Sequence, residues 1–177
     1  IYLLIKIHSL WIAFEYYKKI ANRYKIKIIL IIARMLDEGD GIPVNKEESF
    51  NYYKIAANSS NSIGIDNCAR LIIEEGYGIN DSLKLAVQKG DIELIKNHAK
   101  SLYDEKNKQD SLLFYKIAAD KGDIESISKY ASMLNDWDGV PLNYEEAFKY
   151  FKKAANLGDI LAIKKYACFL ENGKDGV

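Results

Sequence analysis

The sequence predicts an all-α fold, an array of stacked helical hairpins, on three observations. The stretch GVPLNYEEAFKYFKKAAN from Gly139 to Asn156 repeats, nearly residue for residue, GIPVNKEESFNYYKIAAN from Gly41 to Asn58. Ahead of each copy, apolar residues recur at helical spacing. Between the apolar segments stand glycine, proline and asparagine, the residues that end one helix and cap the next.

The first helix of each unit, helix A, is marked by an alanine column: Ala33, Ala69, Ala99, Ala131 and Ala167, at spacings of 36, 30, 32 and 36. Four residues earlier stands isoleucine every time (Ile29, Ile65, Ile95, Ile127, Ile163). Three residues later come Leu36, Ile72, Leu102, Leu134 and Leu170, and at seven before, Ile26, Ile92, Ile124 and Ile160 extend the pattern, with Ser62 the exception. Positions −7, −4, 0 and +3 share one face of a helix, so this stripe is expected to be buried, with the small alanine letting a neighbour come close.

After each helix A comes a loop. Gly39, Gly41 and Gly139 fit positive φ there, and Pro43 and Pro141 stop helical continuation. Asn45 and Asn143 are placed to cap the second helix, helix B, with Glu48 and Glu146 three residues on at the capping-box position. Helix B carries Phe50, Tyr53 and Ala57, matched by Phe148, Phe151 and Ala155, by Leu112, Tyr115 and Ala119, and by Phe14, Tyr17 and Ala21. Gly90, Gly122 and Gly158 then close it, and Asp91, Asp123 and Asp159 cap the next helix A.

Two units depart from this template. Helix B of the second is cut to DSLKLAVQK, which is expected to bend the array, and the third replaces the glycine loop with DEKNKQD at 104–110. The chain begins with Ile and stops after GKDGV, before a further helix B, so it reads as truncated at both ends.

Acids and bases balance at 25 each, which leaves no net positive field for general nucleic-acid binding. The apolar runs 1–14 and 26–36 fall short of the roughly 20 residues that span a bilayer, and Lys6 and Lys27 interrupt them. The first run also lacks the basic start and small-residue cleavage site of a secretory signal. Cys68 and Cys168 lie three repeats apart. With helices stacked roughly 10 Å apart, they cannot meet the ~7 Å Cα limit of a disulfide, which favours a reducing compartment, the cytoplasm.

Little in the sequence carries chemistry. His98 stands in the column before the alanine, where Ile32, Cys68, Tyr130 and Tyr166 stand elsewhere, so it reads as packing. DEGDG at 37–41 and DWDG at 136–139 lack the spread ligands and closing glutamate of a calcium loop. GYG at 76–78 has no phosphate-loop lysine. No cofactor or metal is expected.

The unit A-x-x-L-x-x-G-x-G-V, followed by E-A-F-x-Y-F-K-K-A-A-N-x-G-D, resembles the Sel1-like repeat, a relative of the tetratricopeptide repeat. The match is strong over 124–159, nearly as good over 25–61, and degenerate over 62–91 and 92–123. Residues 160–177 supply a partial unit and 1–24 the end of a preceding one. It rests on Ala33 and Ala131, on Gly39 and Gly41, and on Lys153, Ala154 and Ala155. It departs where helix A lacks the usual glycine before its aromatic and where 104–110 lacks loop glycines.

The resemblance implies a right-handed superhelical solenoid of antiparallel hairpins. Its members generally act as noncatalytic scaffolds or adaptors that bind a protein or peptide. The alternative it implies is a regulatory or targeting segment of a larger enzyme, such as a protein kinase or a subunit of a ubiquitin-ligase or ER-degradation complex. In related solenoids helix A lines the concave surface, which makes its remaining columns candidate contacts: +1 with Arg34, Arg70 and Lys100, −3 with Asp66 and Lys96, and −2 with Lys129 and Lys165. The three bases at +1 form a ladder that suits an extended acidic peptide. Trp137, at the loop position of Gly39, is a further candidate anchor.

Overall fold

A computed structural model describes residues 2–21, 26–136 and 139–171. These form ten helices and no strand: α1 (Tyr2–Ala21), α2 (Ile26–Glu38), α3 (Lys46–Ala57), α4 (Ser62–Glu75), α5 (Asp81–Lys89), α6 (Ile92–Asp104), α7 (Lys108–Asp120), α8 (Ile124–Asn135), α9 (Tyr144–Asn156) and α10 (Ile160–Glu171). Short links make α2–α3, α6–α7 and α8–α9 close antiparallel hairpins. Each B helix also packs on the A helix that follows it: α1 on α2, α3 on α4, α5 on α6, α7 on α8 and α9 on α10. The result is a helical solenoid.

The turns work as their residue types dictate. Asn45 and Asn143 side chains accept the backbone N–H of Glu48 and Glu146 at 3.0 and 3.1 Å. Asp91, Asp123 and Asp159 accept those of Leu94, Ser126 and Ala162 at 3.1, 2.8 and 2.6 Å. The reciprocal half of the capping box does not form, because the Asn45 and Asn143 backbone N–H groups donate instead to Leu36 and Leu134, at 2.8 and 2.9 Å. That bond closes the A-to-B loop.

The alanine column is buried in α2, α4, α6 and α8, together with the −4 isoleucine in the last three. Helix B meets it with a small residue. Ser49 and Ser111 donate their hydroxyls to the carbonyls of Ala33 and Ala99, both at 2.7 Å, and Ala147 takes the same place in α9. Backbones approach closely enough for a side chain one atom past Cβ to bond the opposite main chain.

Helix A also buries a second stripe, which the sequence reading found only in part. Positions −5, −1 and +2 are buried as well: Gly64, Cys68 and Leu71 in α4, Ser126, Tyr130 and Met133 in α8, Ala162 and Phe169 in α10. Gly64 and Phe169 meet the preceding helix B, whereas the Tyr130 ring meets Tyr150 of its own hairpin. At Gly64 a Cβ would stand 2.6 Å from the Ala57 nitrogen, so α3 and α4 touch backbone to backbone.

The final A helix corrects an expectation. In α10 the stripe Ile160, Ile163, Ala167 and Leu170 is exposed, while Ala162 and Phe169 are buried. The reason is geometric: α9 covers the second stripe, and among the described residues no B helix lies over the first.

The short α5 reorganises the middle of the array. Nine residues cannot cover α4, and α7 packs against it as well. Residues 111–119 of α7 are consecutively buried, a helix enclosed all round rather than on one face. Lys54 of α3 pairs with Asp110 of α7 at 2.7 Å, and Asn143 donates its side-chain amide to the Ser60 carbonyl at 2.7 Å. The first hairpin is thus tied to the third and fourth.

Ser60 fills the turn position that Gly90, Gly122 and Gly158 occupy elsewhere. It adopts φ 51° with its hydroxyl buried and, among the described residues, unbonded. A left-handed conformation costs an L-residue about 1 kcal/mol or more, and glycine avoids that strain. Ser60→Gly should therefore raise unfolding free energy by about 1 kcal/mol, read as a higher urea midpoint at unchanged m-value. An unchanged or lower midpoint would contradict this account of the turn.

Candidate partner-binding surface

Columns −3, −2 and +1 of helix A lie outside the two buried stripes, and the helical repeat turns them toward clefts along the A helices. A cleft of ≈ 400 Å³ between α2 and α4 is lined by Leu30, Ile31 and Ile63 together with Arg34 and Arg70. A second, ≈ 510 Å³, between α8 and α10 is lined by Ser128, Lys129 and Ser132 with Ile124 and Leu161. Both linings are mainly apolar; the first adds the guanidinium groups with Asp37 and Glu38, the second the Lys129 ammonium with Glu125 and Asp159.

The candidate side chains fall into two groups. Most are engaged across the array. Arg70 pairs with Asp37 of α2 and with Glu74 at 2.7 Å, and Asp37, largely buried, also accepts from Lys46 at 2.6 Å. Lys96 of α6 reaches Glu125 of α8 at 3.0 Å, and Lys165 of α10 reaches Asp136 at the end of α8 at 3.0 Å. Lys129 places its ammonium 3.8 Å from the centre of the Tyr103 ring on α6. Asp66 pairs with Lys116 at 2.8 Å.

Arg34 and Lys100 are exposed and make no ion pair among the described residues. Arg34 shares its cleft with Arg70, whereas Lys100 does not line it. Trp137 lies outside the described residues.

The partners missed by sequence reasoning are the acids. They stand about one repeat period from their cations: Asp37 with Arg70, Glu125 with Lys96, Asp136 with Lys165. Opposite charges one period apart were the signal that could have found them.

Ionisable groups cluster most densely around Lys116, which lies in the column of Lys54 and Lys152 but is buried because α7 is enclosed. Burial alone would push its pKa down; hydrogen bonds to Asp120 (2.5 Å) and Asp66 (2.8 Å) outweigh that and raise it. Tyr150 donates to Asp120 at 3.0 Å, and burial pushes its own pKa up. Beside it, the Tyr130 ring sits edge-on at 4.6 Å, its hydroxyl buried and unbonded among the described residues. An ammonium held charged between two carboxylates is a tie between α4 and α7, not a nucleophile.

Elsewhere, burial raises the Cys68 thiol to about 12, which leaves it inert. Burial also lowers the His98 pKa, and its ring stands edge-on to Phe114 at 4.6 Å, as the packing reading expects. No metal-holding cluster of His, Cys, Asp and Glu occurs among the described residues, and none of their helices is long and apolar enough to cross a membrane.

A family model described as Sel1 repeat matches residues 12–24, 31–61, 98–123 and 125–159. The unmatched interior, 62–97, contains the short α5. Among solved structures, a protective antigen present in uropathogenic Escherichia coli strains and displaying an SLR fold is similar at 23% identity and TM-score 0.47, covering 91% of this chain and 37% of its own length. A Sel1 repeat protein from Oxalobacter formigenes is similar at 26% identity and TM-score 0.41, with coverages of 94% and 70%. The chain thus spans little more than a third of the antigen's length. No curated protein matches.

Glu146, buried on α9, supplies a pH test. Burial raises its pKa above the usual carboxylate value, Lys149 and Lys116 oppose the rise, and Asp66 and Asp120 add to it. The folded chain therefore holds this proton more tightly than the unfolded chain does. Stability from this group is greatest below the ordinary glutamate pKa and falls as pH rises through that value toward the raised one. Glu146→Gln should remove that fall, so urea midpoints of the two proteins should diverge upward from about pH 4, with the variant the more stable. Parallel curves would exclude the effect.

Proposed function

Because this chain belongs to the Sel1 repeat family, we propose that it is a noncatalytic interaction module, a scaffold or adaptor that holds a protein or peptide along its helix-A surface. The observation that carries this reading is the α2–α4 cleft, where apolar Leu30, Ile31 and Ile63 stand beside the exposed guanidinium of Arg34. Such a site takes an apolar side chain and pairs an adjacent carboxylate. Lys100, exposed farther along the array, offers a second point charge to an acidic segment. Arg70 contributes mainly by holding the cleft's shape, since Asp37 and Glu74 already occupy its guanidinium.

The chemistry of the remaining ionisable groups agrees with a module of this kind. Lys116 is locked between carboxylates, Cys68 is buried with a raised pKa, and His98 packs on Phe114. The cytoplasm, a reducing compartment, suits Cys68 and the exposed Cys168, which no disulfide joins.

A peptide library selected on the wild-type chain should be enriched in an apolar residue flanked by Asp or Glu. Arg34→Glu combined with Lys100→Glu should weaken the selected peptides by about tenfold or more. Lys152→Glu, on the exposed side of α9, should leave affinity unchanged. Arg70 is kept intact because reversing it would break the Asp37 tie. Equal losses in both variants, or none in either, would discard this surface as the binding site.

A further inference from the structure

The second hairpin lacks the start of its B helix. Gly78 to Val87 covers ten residues where Gly41 to Ala57 covers seventeen, a loss of about 10 Å of helix. A B helix runs antiparallel to the A helix after it: Ala57 at the end of α3 touches Gly64 near the start of α4, and Phe148 near the start of α9 meets Phe169 near the end of α10. A B helix without its first turns therefore leaves the end of the next A helix uncovered. In α6 that end is open. His98 and Leu102 are half-buried and Ser101 is exposed, whereas the same columns in α2, α4 and α8 are buried.

The open end of α6 is the floor of a pocket of ≈ 170 Å³, which residues of α3, α4, α7 and the segment 77–79 complete. Its walls are Phe50, Ile72, Tyr77, Ile79, Leu113 and Phe114, with the Phe50 and Tyr77 rings stacked at 5.8 Å. An apolar cavity of about 150 Å³ takes a single benzene ring, so this volume suits one ring with a small substituent. Aromatic walls favour an aromatic occupant through offset and edge-on contacts.

Three polar side chains line the same space. Lys54 and Asp110 pair with each other at 2.7 Å, so their charges cancel and an ionic ligand finds no net attraction. A carboxylate would meet Asp110, and an ammonium Lys54. His98 makes no hydrogen bond among the described residues, and its ring contact is with Phe114. Burial keeps the imidazole neutral at pH 7, with one nitrogen to donate and one to accept. A hydroxyl can pair with either.

We propose that the pocket over the end of α6 binds one neutral phenolic ring, with its hydroxyl hydrogen-bonded to His98 and its ring held among Phe50, Tyr77 and Phe114. The pocket shares no lining residue with the α2–α4 cleft, so each site can fail without the other. The ring can arrive as a free phenol or as the tyrosine side chain of a peptide.

Titrating p-cresol into the wild-type chain, followed by amide proton–nitrogen correlation spectra, should give a Kd of about 1 mM or tighter. The shifts should centre on Tyr77, His98 and Leu102. Toluene, which lacks only the hydroxyl, should bind about fivefold more weakly. His98→Phe should erase that difference while still binding toluene, an outcome that a purely structural role for His98 would not produce. Ile79→Trp, which fills the pocket, should abolish binding of both. Circular dichroism melts check that each variant folds, and the wild-type shift map locates the site without them. N-acetyl-tyrosinamide separates the sources: binding weaker than that of p-cresol identifies a free phenol, and tighter binding identifies a tyrosine side chain. Three results would overturn the proposal: no p-cresol binding up to about 10 mM, shifts centred away from the pocket, or equal affinity of the wild type for p-cresol and toluene.

Discussion

The array depends on one contact, the meeting of the column alanine of helix A with a small residue of helix B. Ala33 against Ser49, Ala99 against Ser111 and Ala131 against Ala147 bring the backbones of each hairpin into contact, and in two of the three a hydroxyl bonds the facing carbonyl at 2.7 Å. A larger side chain there would force the helices apart, and overpacking of a close-packed interior typically costs about 1–3 kcal/mol. Bulk is carried elsewhere along helix B. Phe50, Tyr53, Phe148 and Phe151 turn toward the following helix A, where Phe151 and Phe148 meet Phe169 at 6.0 and 5.8 Å. Small residues bring the two backbones of a hairpin together, with ring pairs such as Tyr130 and Tyr150 beside them, and the Phe148 and Phe151 columns join hairpins, so a helix A is finished only when B helices lie on both its stripes.

The middle of the molecule follows from that requirement. With α5 only nine residues long, α4 would be left half covered, and α7 moves in to cover it. The price is Lys116, a solvent-side column in α3 and α9 that enclosure drives inside in α7. Its charge is retained by Asp120 on the same helix and Asp66 on α4. Removing one partner from such a buried arrangement is far more damaging than replacing the whole set by apolar residues, because an uncompensated charge remains. Asp66 therefore belongs to the scaffold, although its column elsewhere faces the clefts.

The fold was legible in the sequence wherever a residue type has a single local use. Asn45, Asn143, Asp91, Asp123 and Asp159 cap helices because their short acceptors reach a backbone N–H three residues on. Gly90, Gly122 and Gly158 sit at positive φ, where a Cβ is strained. The alanine stripe was legible because it repeats. The second stripe was not fully legible, because Gly64, Ser126 and Ala162 share a column without sharing hydrophobicity; what they share is smallness, set by a neighbour's backbone. The candidate contacts were legible as exposed columns but not as free or engaged charges. Whether a cation is free depends largely on an acid in another hairpin: Arg70 has Asp37 besides Glu74 on its own helix, and Arg34, in the same column, has no such ion pair among the described residues.

The pairing of those cations bears on how a partner could be selected. Arg70 to Asp37, Lys96 to Glu125 and Lys165 to Asp136 each join one helix A to the next, so the charges along this face mainly set the angle between hairpins. Exposed pairs contribute little stability, a median of roughly 0–1 kcal/mol, but a shift in angle at one hairpin displaces everything beyond it in a stacked array. On the proposed surface, specificity would come from two sources that act separately. Arg34 and Lys100 would supply direct attraction. The tied residues would set the distance between those two charges, and thereby the length of extended chain able to engage both at once.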